Sequence, residues 1–280
     1  MKIGLVLEGG AMRGIYTAGV LDAFLKNNIE FDGLAGVSAG AIHGATFLSK
    51  QYGRNLRYMK KYCSDWRYMS FRSLIINGDM VGRKFCYHDI PSKLDPFDYN
   101  TFFENKTRFY ACATNLKTGK AELLHPKSKH ELLEMLRASA SLPLVSRNVP
   151  LNGNIYLDGG ISDSIPLKAF QKMGYQKNII VLTRPLEYVK MPEKAMPLIK
   201  LKYWHYPLFV KQNRDRHLNY NKTIEYIKAQ ENLGNSLVIR PSKEIRVRHT
   251  EKDTEVIQAQ YDLGFNDAMN IMDKIKEFMK

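Results

Sequence analysis

An α/β fold with a mainly parallel sheet is predicted by three features of this chain. Two short apolar runs near the start, residues 2–7 (KIGLVL) and 33–37 (GLAGV), are each followed by a glycine-bearing turn and then by a stretch of helical periodicity. A third near-continuous apolar run, residues 178–183 (NIIVLT), lies well downstream. Unbroken apolar runs, as opposed to alternating ones, mark strands covered on both faces, which is the situation of parallel sheets. Strand, loop, helix, strand, turn, helix within the first 50 residues is the opening of a parallel α/β unit.

The elements follow in order. After the glycine loop at 9–14, Ile15, Ala18, Leu21, Phe24 and Leu25 recur at helical spacing, and Asn27-Asn28 is the expected stop. Residues 39–50 read as the helix behind the second strand. Residues 54–79 mix aromatic and basic side chains and are expected to be helical in part. Residues 108–113 (RFYACA) and 121–124 are strands flanking a turn at 117–119. Leu132, Leu133, Met135 and Leu136 give residues 131–139 a helical period, which Pro143 ends. A short strand at 154–157 runs into Asp158-Gly159-Gly160. Residues 187–220 combine prolines, basic residues and aromatics of exposed type (Tyr188, Tyr203, Trp204, His205, Tyr206, Phe209), and read as an excursion from the core or as a lid. A strand at 236–240 precedes one final helix, with Ile257, Tyr261, Phe265, Met269, Met272 and Ile275 as its core stripe. No linker rich in Gly, Pro or Ser divides the chain, so residues 1–280 are expected to form a single domain.

Bulk properties narrow the partners. An apolar content of 44% supports a full core. The net charge of +14 favours an anionic partner, either nucleic acid or an acidic membrane surface. No nucleic-acid-binding motif is present and the basic residues are dispersed, so nucleic acid is not expected. Cys63, Cys86 and Cys112 are odd in number and far apart, which suits reduced thiols and neither a disulfide framework nor a metal site. The apolar run before Glu8 is too short for a signal-peptide core, and residues 33–48 are broken by glycines and His43. A cytoplasmic protein, with peripheral membrane contact through the basic aromatic segment 196–217, is the expectation.

Residues 36–40, Gly-Val-Ser-Ala-Gly, place Ser38 between a strand and a helix, the setting of a nucleophile elbow. Small neighbours are needed there because strand and helix crowd each other at the serine. The loop Gly9-Gly10-Ala11-Met12-Arg13-Gly14 lacks the phasing of a phosphate-binding loop, but its amides could turn toward an oxyanion formed on Ser38. Arg13 could orient the loop or meet a substrate phosphate. For the base, Asp158 lies at a strand end before two glycines. A Ser…Asp…His order with His205, His217 or His249 is also available, and Asp163 is a competing carboxylate whose setting suggests a helix start.

Three blocks together, Gly9 to Gly14, Gly36 to Gly40 and Asp158-Gly159-Gly160, resemble the patatin-like phospholipases in order and spacing. The stretches 137–143 (RASASLP), 182–185 (LTRP) and 261–264 (YDLG) extend the resemblance and look like a bacterial branch of that family. The resemblance implies a three-layer α/β/α sandwich and a Ser-Asp dyad without histidine: Ser38 as nucleophile, Asp158 as base, and the amides of Gly9, Gly10, Ala11, Met12 and Arg13 as oxyanion hole. It implies a lipid or phospholipid ester substrate, an acyl-enzyme intermediate, and no metal or cofactor. An aspartate with an ordinary pKa of about 3.9 is a weak base at neutral pH, so Asp158 must be buried to work. One departure is Glu8, where many members carry a further glycine. A carboxylesterase or acyltransferase on the same two residues, and a basic membrane- or nucleic-acid-binding protein, are the competing functions.

Overall fold

The structure, a computed structural model, describes all 280 residues. The chain opens with β1 (Ile3–Leu7), a 3-10 turn (Ala11–Gly14) and α1 (Ile15–Lys26), then β2 (Gly33–Val37) and α2 (Ala39–Leu48). Helices α3 (Arg54–Tyr62) and α4 (Phe71–Asn77), a π-helical segment (Phe85–Leu94) and α5 (Tyr99–Glu104) follow. Next come β3 (Arg108–Asn115), β4 (Ala121–Leu124), α6 (Lys129–Ser139) and the hairpin β5 (Val149–Leu151) with β6 (Asn154–Asp158). The remainder is α7 (Leu167–Lys172), β7 (Lys177–Val181), α8 (Met196–Lys202), α9 (Pro207–Asn232), β8 (Ser236–Ile239), α10 (Thr254–Asn270) and α11 (Met272–Phe278).

All eight strands join one sheet, in which β3, β2, β1, β7 and β8 are neighbours in that order and parallel. Strands β4, β5 and β6 add antiparallel pairings at the β3 side. Successive strand residues face opposite layers, and the burial shows it. Leu5, Leu7, Leu34, Ile179, Val181, Leu237 and Ile239 pack with α1, α2, α6, α10 and α11. Val6, Ala35, Ile180 and Val238 pack on the other face with α7 and α9. Helices on both faces make three layers, and they explain why the strands read as continuous apolar runs.

Two predicted regions turn out differently. The final helix is two helices, because Ile271 leaves helical geometry (ψ 17°) between α10 and α11. The segment 187–220 is only partly an excursion. Helix α9, 26 residues and about 39 Å long, is a layer of the sandwich, with Phe209, Asn213, Tyr220 and Ile227 buried along one side. Tyr203 and Phe209 sit in a cluster with Leu116, Leu157, Ile161 and Ile199, while Trp204 and His205 stay exposed. A helix buries one residue in three or four, so aromatics set among lysines look surface-bound until the helix face is known.

Helices α1 and α10 touch backbone to backbone. A Cβ on Gly19 would strike the Tyr261 carbonyl, and one on Gly264 would strike the Tyr16 carbonyl. This contact locks the C-terminal part of the chain to the first helix.

Candidate active site

The site forms where strands end. Strand β3 carries β4 along one edge at residues 111–114, so the pairings of β2 with 108–112 and of β6 with 113–115 share its other edge. Parallel β2 and antiparallel β6 therefore run toward each other: Val37 lies beside Cys112 and Asp158 beside Ala113. Ser38 and Asp158 are the residues at which these two strands meet. On the far side of β2, β1 delivers the glycine loop and β7 delivers Thr183 and Arg184.

Ser38 holds a left-handed backbone (φ 53°, ψ −122°), a conformation that non-glycine residues adopt only under constraint. Its own N–H donates to the Ser139 Oγ at 2.8 Å, and the Ser139 hydroxyl donates to the Cys112 carbonyl at 2.6 Å. The flanking glycines are required by contact. A Cβ on Gly36 would come within 2.6 Å of the Ala41 Cα, and one on Gly40 within 2.7 Å of the Leu7 and Glu8 carbonyl oxygens. Gly9 lies against Ser38 as well, since a Cβ there would be 3.3 Å from the Ser38 Cβ.

Asp158 is buried. Its Oδ1 accepts the Gly160 N–H at 2.7 Å, its carbonyl accepts the Thr114 hydroxyl at 2.8 Å, and its N–H donates to the Ser141 carbonyl. Burial raises its pKa above the ordinary carboxylate range, against the opposing pull of the Arg216 charge, the Gly160 N–H, the Ser38 hydroxyl and Lys190. The Ser38 hydroxyl thus already favours the carboxylate, although no aligned short hydrogen bond joins the two. Such contacts tighten when substrate is bound.

No histidine hydrogen-bonds to Ser38 or Asp158. His43 is buried in α2, burial pushes its pKa down to about 4, and neither ring nitrogen has an aligned partner. His249 is exposed and borders the space above Ser38. Asp163 accepts the Ile165 N–H ahead of α7 and is pushed up to about 6 by burial, consistent with a structural turn.

The glycine loop is fastened by Glu8, the residue at which the chain departs from the three-glycine pattern. Its buried carboxylate accepts from the Thr183 N–H at 2.6 Å, the Thr183 hydroxyl at 3.1 Å and the Tyr220 hydroxyl at 2.8 Å. The N–H groups of Gly9 and Gly10 find no acceptor in the protein, whereas that of Arg13 is taken by the Gly10 carbonyl at 3.1 Å. Of the predicted loop residues, Gly9, Gly10, Ala11 and Arg13 border a small polar cavity with Ser38 and Asp158. Met12 turns the other way into an apolar one.

Two cavities meet at Ser38. The apolar one, about 150 Å³, is lined by Met12, Ile42, Met59, Tyr87, Ile90 and Leu136 among others, with the π-helical segment as one wall. The polar one, about 70 Å³, adds Arg184, Lys190 and Arg216 to the residues just named. Ala11, Ser38, Leu142 and His249 border both. Sequence reasoning missed Glu8, Ser139, Arg184, Lys190 and Arg216 as parts of the site. The resemblance touched three of them, through the stretches 137–143 and 182–185 and the departure at Glu8, without giving any a role; nothing marked Lys190 or Arg216.

Comparison with known proteins gives a consistent picture. A sequence model of a family described as patatin-like phospholipase matches residues 5–170, and one of a domain of unknown function (DUF6363) matches residues 206–280. The chain is 32% identical over 197 residues to the uncharacterized protein YjjU of Escherichia coli, a match covering 69% of this chain and 55% of that protein. It is 28% identical over 187 residues to the lysophospholipase NTE1 of Meyerozyma guilliermondii, covering 64% of this chain and 12% of that protein. The NTE1 lysophospholipase of Saccharomyces cerevisiae is 28% identical over 184 residues, with 62% and 10% covered. The chain thus spans about half of the bacterial relative and about a tenth of the fungal ones. The crystal structure of VipD from Legionella pneumophila superposes with a TM-score of 0.48 at 13% identity, over 98% of this chain and 67% of that one, a likeness too slight to carry an argument.

Proposed function

The chain belongs to the patatin-like phospholipase family, and from that premise we propose that it is a serine lipid acyl hydrolase working through Ser38 and Asp158. The observation that carries the reading is the meeting of a strained, half-buried serine with a buried carboxylate at the converging ends of β2 and β6. The carboxylate of Asp158 takes the Ser38 proton as Oγ attacks the ester carbonyl carbon. The tetrahedral oxyanion is held by the unclaimed N–H groups of Gly9 and Gly10, with Ala11, Met12 and Arg13 completing the loop; one such donor lowers the barrier by about 2.7–4 kcal/mol. As the intermediate collapses, the proton on Asp158 passes to the departing alcohol oxygen and the acyl group stays on Oγ. Water, deprotonated by Asp158, then releases the acid and restores the serine.

A lipid ester fits this chemistry because the apolar cavity begins at Ser38 and suits an acyl chain. The residues beyond 206 belong to the same working unit, since Tyr220 anchors Glu8 and Arg216 donates to the Gly160 carbonyl at 2.6 Å. No helix of the chain is long and apolar enough to cross a membrane. A fluorophosphonate should label the wild-type chain and not Ser38→Ala. Ser38→Ala and Asp158→Ala should each lower ester hydrolysis by about 10⁴-fold or more. Normal turnover in Asp158→Ala would remove the dyad.

A further inference from the structure

The polar cavity beside Ser38 holds more positive charge than the chain neutralises. Four cations converge on it: Arg13 after β1, Arg184 and Lys190 after β7, and Arg216 from α9. None of the four forms an ion pair. The two carboxylates that border the cavity are already engaged, Glu8 by Thr183 and Tyr220, and Asp158 by the Gly160 N–H. Two positive charges remain in excess even with both carboxylates ionised.

The cations are held in place by contacts that do not cancel their charge. The Arg184 guanidinium lies over the Tyr188 ring at 4.2 Å, and the Lys190 Nζ over the Tyr220 ring at 4.9 Å. The Arg216 Nε donates to the Gly160 carbonyl, and the Arg13 Nε is buried with no partner. Burial and crowding both disfavour their charged forms. Lys190 is pushed down to about 8 by burial and then by Arg216, and Arg13 is lowered by burial and then by Arg184. Like charges gathered without a counterion cost free energy, and an anion placed among them recovers it. The location agrees with the general rule for open α/β sheets, in which ligands sit beyond the strand ends where the strand order reverses. Here that point lies between β1 and β7, whose following loops supply three of the four cations.

This inference rests on the acyl-hydrolase reading of Ser38 and names its substrate class. We propose that the cavity seats the terminal phosphate of an acylglycerol phosphate, with the ester at Ser38 and the acyl chain in the adjoining apolar cavity. A phosphomonoester carries about −1.5 to −2 charges at pH 7, matching the excess of two. A phosphodiester carries one charge fewer, and a choline or ethanolamine beyond it would add a cation to a cavity already rich in them, which is repulsive. Arginine forks also suit phosphoryl oxygens bidentately. The size is compatible: a cavity of about 150 Å³ admits a benzene ring, so one of about 70 Å³ has room for a phosphoryl group. Of the four cations, Arg13 and Arg216 lie inside the matched family regions and Arg184 and Lys190 between them.

The test compares kcat/KM on three monomeric substrates with one oleoyl chain: oleoylglycerol phosphate, oleoylglycerophosphocholine and oleoylglycerol. The phosphomonoester should lead each of the others by about tenfold or more, and Lys190→Gln and Arg184→Gln should each shrink that ratio by a similar factor. Fluorophosphonate labelling of each variant reports whether Ser38 is still presented. Inorganic phosphate should inhibit oleoylglycerol hydrolysis by wild type competitively and inhibit Lys190→Gln less. A flat substrate ratio with Ser38 still labelled overturns the head-group assignment alone. So does inhibition by inorganic phosphate with a flat ratio, which would mark a site for the free ion. Absence of both labelling and turnover overturns the hydrolase reading beneath it.

Discussion

In the proposed dyad, Asp158 is the residue that would set the pH dependence of the reaction. Its pKa stands above the usual carboxylate value because burial penalises the charge. If the ionised form is the base, kcat/KM on a neutral ester rises with pH through a midpoint above about 3.9; a midpoint at or below that value would contradict desolvation. The same shift acts on stability with the opposite sense. The folded state holds the proton longer than the unfolded one, so the group's stabilising contribution is full below the ordinary carboxylate pKa and is lost as pH rises through the raised one. Asp158→Asn should therefore be inactive yet melt higher than wild type at neutral pH, by about 2–4 °C per kcal/mol recovered. That advantage should vanish toward acid pH in paired thermal melts. Ser38 and Asp158 stood out in the sequence because each lies at a strand end beside glycines, Ser38 between Gly36 and Gly40 and Asp158 ahead of Gly159-Gly160. Arg216 did not, because a lone arginine in a long polar helix carries no local mark of what its side chain reaches.

At the scale of elements, the informative feature is that β2 and β6 meet end to end along one edge of β3. The sequence showed both strands and both of their terminal residues, but their opposed directions depend on the β3 pairings, which no local pattern encodes. The glycines of α1 and α10 are a second case. Gly19 was hidden inside a helical period, and the stretch 261–264 stood out only by resemblance. Gly264→Val would drive a side chain into the Tyr16 carbonyl and separate α10 from α1, at a cost of at least about 1–3 kcal/mol. Because α10 packs on the helix that follows the glycine loop, calorimetry should show one transition shifted downward as a whole. Two separated transitions would mean that the region matched beyond residue 206 melts on its own.

For the whole molecule, the +14 charge favours an anionic partner without locating it. Part of that charge now has a place in the cavity beside Ser38. Another part accompanies exposed apolar side chains. Phe71, Ile75 and Ile76 on α4, with Leu198, Leu201 and Trp204 on or just after α8, are all exposed, and Arg72, Lys200 and Lys202 stand among them. Both helices end against residues 144–148, through the Met80 N–H to the Val145 carbonyl and the Tyr203 hydroxyl to Asn148. Met69, Met80 and Val81, flanking α4, also line the apolar cavity, so this face borders the space proposed for an acyl chain. Binding to vesicles containing anionic lipid should weaken in Ile75→Asp/Leu201→Asp and fall with added salt. Retention by purely zwitterionic vesicles at equal strength would discount the charged part of the contact.

The junction of the two cavities at Ser38 has a kinetic corollary. On the mechanism proposed for Ser38 and Asp158, the alcohol half of a substrate departs through the cationic chamber while the acyl chain stays on the apolar side, esterified to Oγ. The next nucleophile must arrive through the chamber just emptied. On that route, the partition of the proposed intermediate between water and a competing hydroxyl compound would follow which of them dwells longer among the arginines.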